Sequence, residues 1–241
     1  MSTILEVDNI HVAYGRTKII PGLSFKVEEG QVLGVIGPNG AGKTTLMNAL
    51  IGLVIPTEGK IIFDGMDITK LPPDKRCHLG LGRTYQIPRP FEGMTVYENV
   101  LVGATHGAGR TEHKARPYCT EVLKRTGLYE KRDTLAGQLT LLDRKRLEIA
   151  RALGTDPKIL LLDEVAAGLT DAEVHDVMDL VAELKKTGLT IIWIEHVIKT
   201  MVESTDKLLC LATGCLLRYG DPKETMNCLE VQEVYLGVDE E

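Results

Sequence analysis

The chain has 241 residues, 44% of them apolar and 26% charged, with a formal net charge of -6. That balance fits a globular protein rather than a disordered or fibrous one, and its acidity argues against non-specific nucleic-acid binding. Its uncharged apolar runs, such as Ile159 to Leu162 and Leu208 to Ala212, are far shorter than the roughly 20 residues that span a bilayer, and five scattered cysteines (Cys77, Cys119, Cys210, Cys215, Cys228) without a C-x-x-C pair read as reduced thiols rather than a zinc site.

Met1 to Asn9 carries Glu6 and Asp8 and lacks both a basic start and a long apolar run, so no signal peptide is expected and the chain is expected to stay in the cytoplasm. Short strands are predicted over Leu5 to Tyr14, Leu23 to Val27 and Lys60 to Phe63, with turns at Tyr14-Gly15-Arg16 and Asp64-Gly65. They suggest a small antiparallel sheet. Three apolar runs bounded by polar or turn residues, Gln31 to Ile36, Lys158 to Asp163 and Thr190 to Glu195, read as buried parallel strands. Helical patterns over Lys43 to Leu53, Asp143 to Leu153 and Asp171 to Lys186 alternate with them, which is the signature of an α/β core. From about Pro88 to Gly154 no strong strand stands out, and the segment reads as a helical insertion. One composite domain is expected, with residues 1–87 and 155–241 forming core and antiparallel sheet and 88–154 a helical subdomain.

Gly37-Pro38-Asn39-Gly40-Ala41-Gly42-Lys43-Thr44 fits G-x-x-x-x-G-K-[ST] and follows the strand Val32 to Ile36. A loop poor in side chains lets backbone N–H groups face phosphate oxygens, and the next helix offers its positive N-terminus to the same anion. Lys43 is expected to reach the β and γ phosphates, Thr44 to coordinate Mg²⁺ and Thr45 to complete the nucleotide contacts. The motif alone gives a nucleotide phosphate site in what is expected to be a P-loop NTPase core, and it is shared by kinases, GTPases and ATPases.

Ile159 to Leu162 ends in Asp163-Glu164, and alternation along a strand sends neighbouring side chains in different directions. Asp163 would hold Mg²⁺ through its water shell, and Glu164 would orient or deprotonate the attacking water. The strand Thr190 to Glu195 ends in Glu195-His196, putting an imidazole where open α/β sheets bind ligands. No N-K-x-D guanine motif is present, which disfavours a GTPase.

With the loop, Asp163-Glu164 and His196 in this order, the chain resembles the nucleotide-binding subunit of ABC transporters along nearly its whole length. The resemblance implies that Tyr14 stacks on adenine, that Gln86 links Mg²⁺ to the membrane partner, that His196 serves catalysis and that Ala167-Gly168-Leu169-Thr170 contacts a second subunit. Arg83-Thr84-Tyr85-Gln86, Met94 to Asn99, Arg146 to Arg151, Ile194-Glu195-His196 and Val234-Tyr235-Leu236-Gly237 look like the branched-chain amino-acid importers. Such importers imply two membrane-spanning permease subunits, a second ATPase subunit, an external substrate-binding protein and a place on the cytoplasmic face of the inner membrane. They also imply ATP and Mg²⁺ as ligands, and closure of two ATPase subunits around two ATP molecules.

Where that family usually reads L-S-G-G-Q, this chain has Leu139-Thr140-Leu141-Leu142-Asp143. Added Cβ atoms and a carboxylate should obstruct approach to a partner's γ-phosphate, which implies unequal ATP sites. The spacing Thr140-x-x-Asp143 equally fits a capping box at the start of the following helix, and both readings stay open here. Val165 stands where a proline commonly follows the catalytic glutamate and is expected to change the chemistry little. Arg144, Lys145 and Arg146 form a basic run expected on a solvated helix face.

Overall fold

The structure, a computed structural model, describes residues 2–236, so Gly237 of the Val234 to Gly237 segment lies outside the described residues. Contact density divides the chain into two compact units, Met1–Pro73 with Thr190–Glu241, and Asp74–Leu189. The first unit begins with β1 (Thr3–Tyr14) and β2 (Thr17–Glu28), then β3 (Val32–Ile36), α1 (Lys43–Leu50), β4 (Glu58–Phe63) and β5 (Met66–Asp67). Strands β2-β1-β4-β5 form an antiparallel sheet in that order. Along β1 the inward residues are Leu5 and Val7, then Ile10 and Val12, so the alternation slips by one place. The slip is a bulge: the register with β2 shifts between Val7 and Ile10, Asn9 has φ 44, and its N–H donates to Ser24 Oγ at 2.8 Å.

The second unit opens with α2 (Pro73–Leu79) and β6 (Leu81–Arg83), followed by α3 (Val96–Val102), a π-helical turn (Gly103–Gly107), α4 (Glu112–Arg125) and α5 (Leu141–Gly154). Then come β7 (Ile159–Asp163), parallel to β6, and α6 (Asp171–Lys186). Among the described residues from 88 to 154 there is no strand, only an isolated bridge between Thr95 and Leu135, as the sequence led us to expect. Thr95 begins α3 with a reciprocal cap: its hydroxyl accepts from the Glu98 N–H at 3.1 Å while Glu98 Oε2 accepts from the Thr95 N–H at 2.8 Å. All five residues of β7 are buried, as a strand covered on both faces requires.

The chain re-enters the first unit with β8 (Thr190–Ile194), α7 (Ile198–Ser204), β9 (Lys207–Ala212), β10 (Cys215–Gly220), α8 (Pro222–Met226) and α9 (Leu229–Leu236). Here β3 runs parallel to both β8 and β9, and β10 closes the edge antiparallel to β9, in the order β10-β9-β3-β8. The predicted strands over Gln31 to Ile36, Lys158 to Asp163 and Thr190 to Glu195 are β3, β7 and β8. Strands β5, β6, β9 and β10 are additions that the sequence reading did not contain. No helix among the described residues is long and apolar enough to cross a membrane.

Candidate functional site

In the first unit, Gly37 to Gly42 joins the end of β3 to the start of α1. Helix α1 opens on Gly42 (φ 98) with no side-chain cap and no acidic residue in its first turn, so its leading N–H groups suit an anion. Gly37 is needed for space: a Cβ there would lie 2.3 Å from the Leu211 carbonyl oxygen of β9. Lys43 is 6% exposed, and its Nζ donates to the carbonyl oxygens of Gly37 at 2.6 Å and Pro38 at 3.1 Å. Its ammonium thus sits over the loop. Asn39, Gly40 and Thr44 are exposed, Pro38 and Thr45 half-buried, and Gly37, Ala41 and Gly42 buried. The loop is braced from the β9–β10 turn, where the Gly214 N–H donates to the Ala41 carbonyl at 3.0 Å. Tyr14 stands exposed at the end of β1, paired with Thr17 across the hairpin, and His196 is exposed directly after the buried Glu195.

In the second unit the structure brings Gln86 and Glu164 together: Gln86 Nε2 donates to Glu164 Oε2 at 2.5 Å. Glu164 is half-buried and has φ 48, a left-handed conformation uncommon for such a residue. Asp163, 3% exposed, is held differently. Its N–H donates to Thr84 Oγ1 at 3.1 Å, and its Oδ2 accepts from Arg83 Nη2 at 2.7 Å. Its Oδ1 accepts no hydrogen bond from a described residue, which leaves one oxygen of a fixed carboxylate for the water shell of a hard cation. The residues present therefore fit Mg²⁺. Both side chains of the Arg83–Asp163 pair are buried, at 7% and 4% exposure. Removing one partner strands a buried charge, so Arg83→Met is expected to lower stability by about 3–5 kcal/mol. Urea unfolding measures this, and an unshifted midpoint would show the pair to be dispensable.

The sequence pattern of the ABC transporter family matches residues 20–167, which takes in the loop, Gln86 and both carboxylates. The chain belongs to the ABC transporter ATPase family. Over 97% of its length this ABC ATPase is 38% identical to the high-affinity branched-chain amino acid transport ATP-binding protein of Pseudomonas aeruginosa, covering 98% of that protein. It is 33% identical to the lipopolysaccharide export system ATP-binding protein of Haemophilus influenzae, across 98% of both chains. An ATP-binding cassette of an ABC transporter solved in its ADP conformation superposes with a TM-score of 0.91, at 33% identity over 98% of this chain and 100% of that one. The fold is that of a P-loop NTPase, and the chain is an ATPase by family.

The altered segment of this ABC ATPase forms the Thr140 half of a capping box, and the Asp143 carboxylate does not complete it. Thr140 precedes α5, its Oγ1 accepts from the Asp143 N–H at 3.3 Å and donates to Asp143 Oδ2 at 2.9 Å, and Lys131 Nζ pairs with the same oxygen. Asp143 is 4% exposed and Leu141 44%. In the predicted contact loop, Gly168 has φ 80 and Thr170 caps α6 reciprocally with Glu173. The basic run departs from the expected solvated face. Arg144 and Arg146 are half-buried, but Lys145 is 2% exposed, and its Nζ donates to the carbonyl oxygens of Gln86 at 2.8 Å and Glu164 at 3.0 Å. Arg83 and Lys145 are the site residues that the sequence reading assigned no role. Arg83 was visible only as the first residue of the Arg83-Thr84-Tyr85-Gln86 segment. Lys145 carried no signal beyond a basic run that pointed the wrong way.

Proposed function

We propose that this chain powers an importer of branched-chain or other hydrophobic amino acids, as one of two ATPase subunits bound to two membrane-spanning permease subunits at the cytoplasmic face of the inner membrane. An external binding protein delivers the substrate. The observation that carries this reading is the Arg83-Thr84-Tyr85-Gln86 segment, importer-like in sequence, whose Gln86 is bonded to Glu164. Full-length similarity to a branched-chain amino acid transport protein supports it.

In this reading the chain works as one cassette, with 88–154 as its helical subdomain. Backbone N–H groups from Gly37, Pro38, Asn39, Gly40, Ala41 and Gly42, with the start of α1, hold the phosphates of ATP, and Thr45 adds a contact. Lys43 moves its ammonium from the loop carbonyls to the β and γ phosphates, and Tyr14 packs on the adenine. Thr44, Asp163 and Gln86 hold Mg²⁺, which neutralises developing phosphate charge when bound. Glu164 orients the attacking water and accepts its proton, and His196 supports the γ-phosphate end of the site.

A second reading is lipopolysaccharide export, favoured by the Haemophilus influenzae relative. Uptake of labelled leucine, isoleucine and valine by cells depleted of this chain separates the two. The importer reading expects uptake to fall about tenfold or more and to return with the wild-type chain but not with Glu164→Gln, since removing the general base costs about 10²–10⁴-fold in rate. Normal uptake together with lipopolysaccharide held in the inner membrane would overturn it.

A further inference from the structure

The most unusual side chain near the predicted chemistry is Lys145. A buried ammonium loses its hydration and needs compensating acceptors. Two of those acceptors are backbone carbonyls from segments far apart in sequence, Gln86 at 2.8 Å and Glu164 at 3.0 Å. Those same segments meet a second time through Gln86 Nε2 and Glu164 Oε2 at 2.5 Å. The result is a closed ring of contacts: helix α5, the chain at Gln86 and the chain at Glu164, with one lysine joining all three.

Glu164 holds a left-handed backbone, φ 48, without being glycine or asparagine. Such a conformation persists only where its surroundings over-determine it. A hydrogen bond to the residue's own carbonyl restrains the peptide plane that follows it, and so the direction from which its side chain projects. Lys145 also lies two places after Asp143, whose carboxylate is fixed by Thr140 and Lys131. The start of α5 is therefore anchored at one end of this short run and grips Glu164 at the other.

We propose that Lys145 is the positioning residue for Glu164: it aims the carboxylate at the attacking water and transmits displacement of the α5 N-terminus to it. This rests on the reading of Glu164 as the general base. In this role Lys145 acts through the Glu164 carbonyl and not on the nucleotide. Its loss therefore moves turnover and leaves nucleotide affinity alone.

The test compares Lys145→Met, Lys145→Arg and Glu164→Gln in the assembled transporter, reading kcat and KM for ATP together with equilibrium ATP binding. K145M is expected to lower kcat about 30-fold, within the range that misplacing a reacting group produces, with KM and ATP affinity within about threefold of wild type. K145R, which keeps donors for both carbonyls, is expected to return kcat to within about threefold. Wild-type kcat in K145M overturns the proposal. So does an equal loss of kcat and ATP affinity, or a K145R as slow as K145M. If K145M does not fold, Lys145→Gln, which retains an amide donor, carries the test: an intermediate loss of kcat supports the proposal and none overturns it. Wild-type turnover in E164Q would sink the general-base reading itself, whereas an inactive E164Q beside a fully active K145M sinks only the role of Lys145.

Discussion

Replacing Glu164 by Gln is expected to lower kcat for ATP by about 10³-fold while ATP affinity stays within about threefold of wild type, because general-base catalysis contributes about 10²–10⁴-fold. The substitution conserves shape. The glutamine's own oxygen can still accept from Gln86 Nε2, which meets Glu164 Oε2 at 2.5 Å, so the side chain stays where it is and loses only its ability to take a proton. Its backbone remains tethered by Lys145. Phosphate release by the assembled transporter and a nucleotide titration of the same preparation measure both halves of the expectation. A variant turning over at the wild-type rate would remove Glu164 from the chemistry, and one that fails to bind ATP would make its role structural.

The second large effect is at Lys43. Lys43→Ala is expected to weaken ATP binding by about 10²-fold: charge-assisted hydrogen bonds contribute about 1.5–3 kcal/mol each, and about 1.4 kcal/mol is a factor of ten in affinity. The structure adds a distinct reason for a severe phenotype. Lys43 Nζ bonds the carbonyls of Gly37 and Pro38, so its removal takes a donor from the loop as well as the charge proposed to meet the phosphates. Calorimetric titration with ATP reads the affinity, and circular dichroism shows whether the fold survives. A folded K43A binding ATP as tightly as wild type would place the phosphate site elsewhere.

Much of this was legible in the sequence where the controlling physics is local. Five consecutive buried residues in β3, β7 and β8 show as apolar runs, because a strand covered on both faces has no polar side to display. The Gly37 to Thr44 loop is legible because few residue types permit its backbone, and the spacing Thr140-x-x-Asp143 anticipated a capping box of which the Thr140 half forms. What stayed hidden depends on distant partners. Lys145 is flanked by arginines on an amphipathic helix, and nothing within α5 says that two carbonyls from other segments meet its ammonium. Arg83 ends a three-residue strand, and its value as the holder of Asp163 exists only once β6 lies beside β7. The slip in β1 was hidden too, since a period of two cannot register one extra residue at Asn9.

The brace beneath the phosphate loop bears on how such a loop can be transplanted or repaired. Gly214, far downstream, donates to Ala41, and a Cβ on it would lie 1.7 Å from the Ile19 carbonyl oxygen of β2. Three stretches of chain made at different times thus converge on one residue that has no side chain to reveal its importance. A shortened chain ending before Thr213 would keep every letter of the G-x-x-x-x-G-K-[ST] signature yet lack the scaffold that shapes it. Variation at position 214 belongs, by its consequences, with lesions of the loop itself. The signature is a spelling, and its grammar is supplied from the far end of the polypeptide.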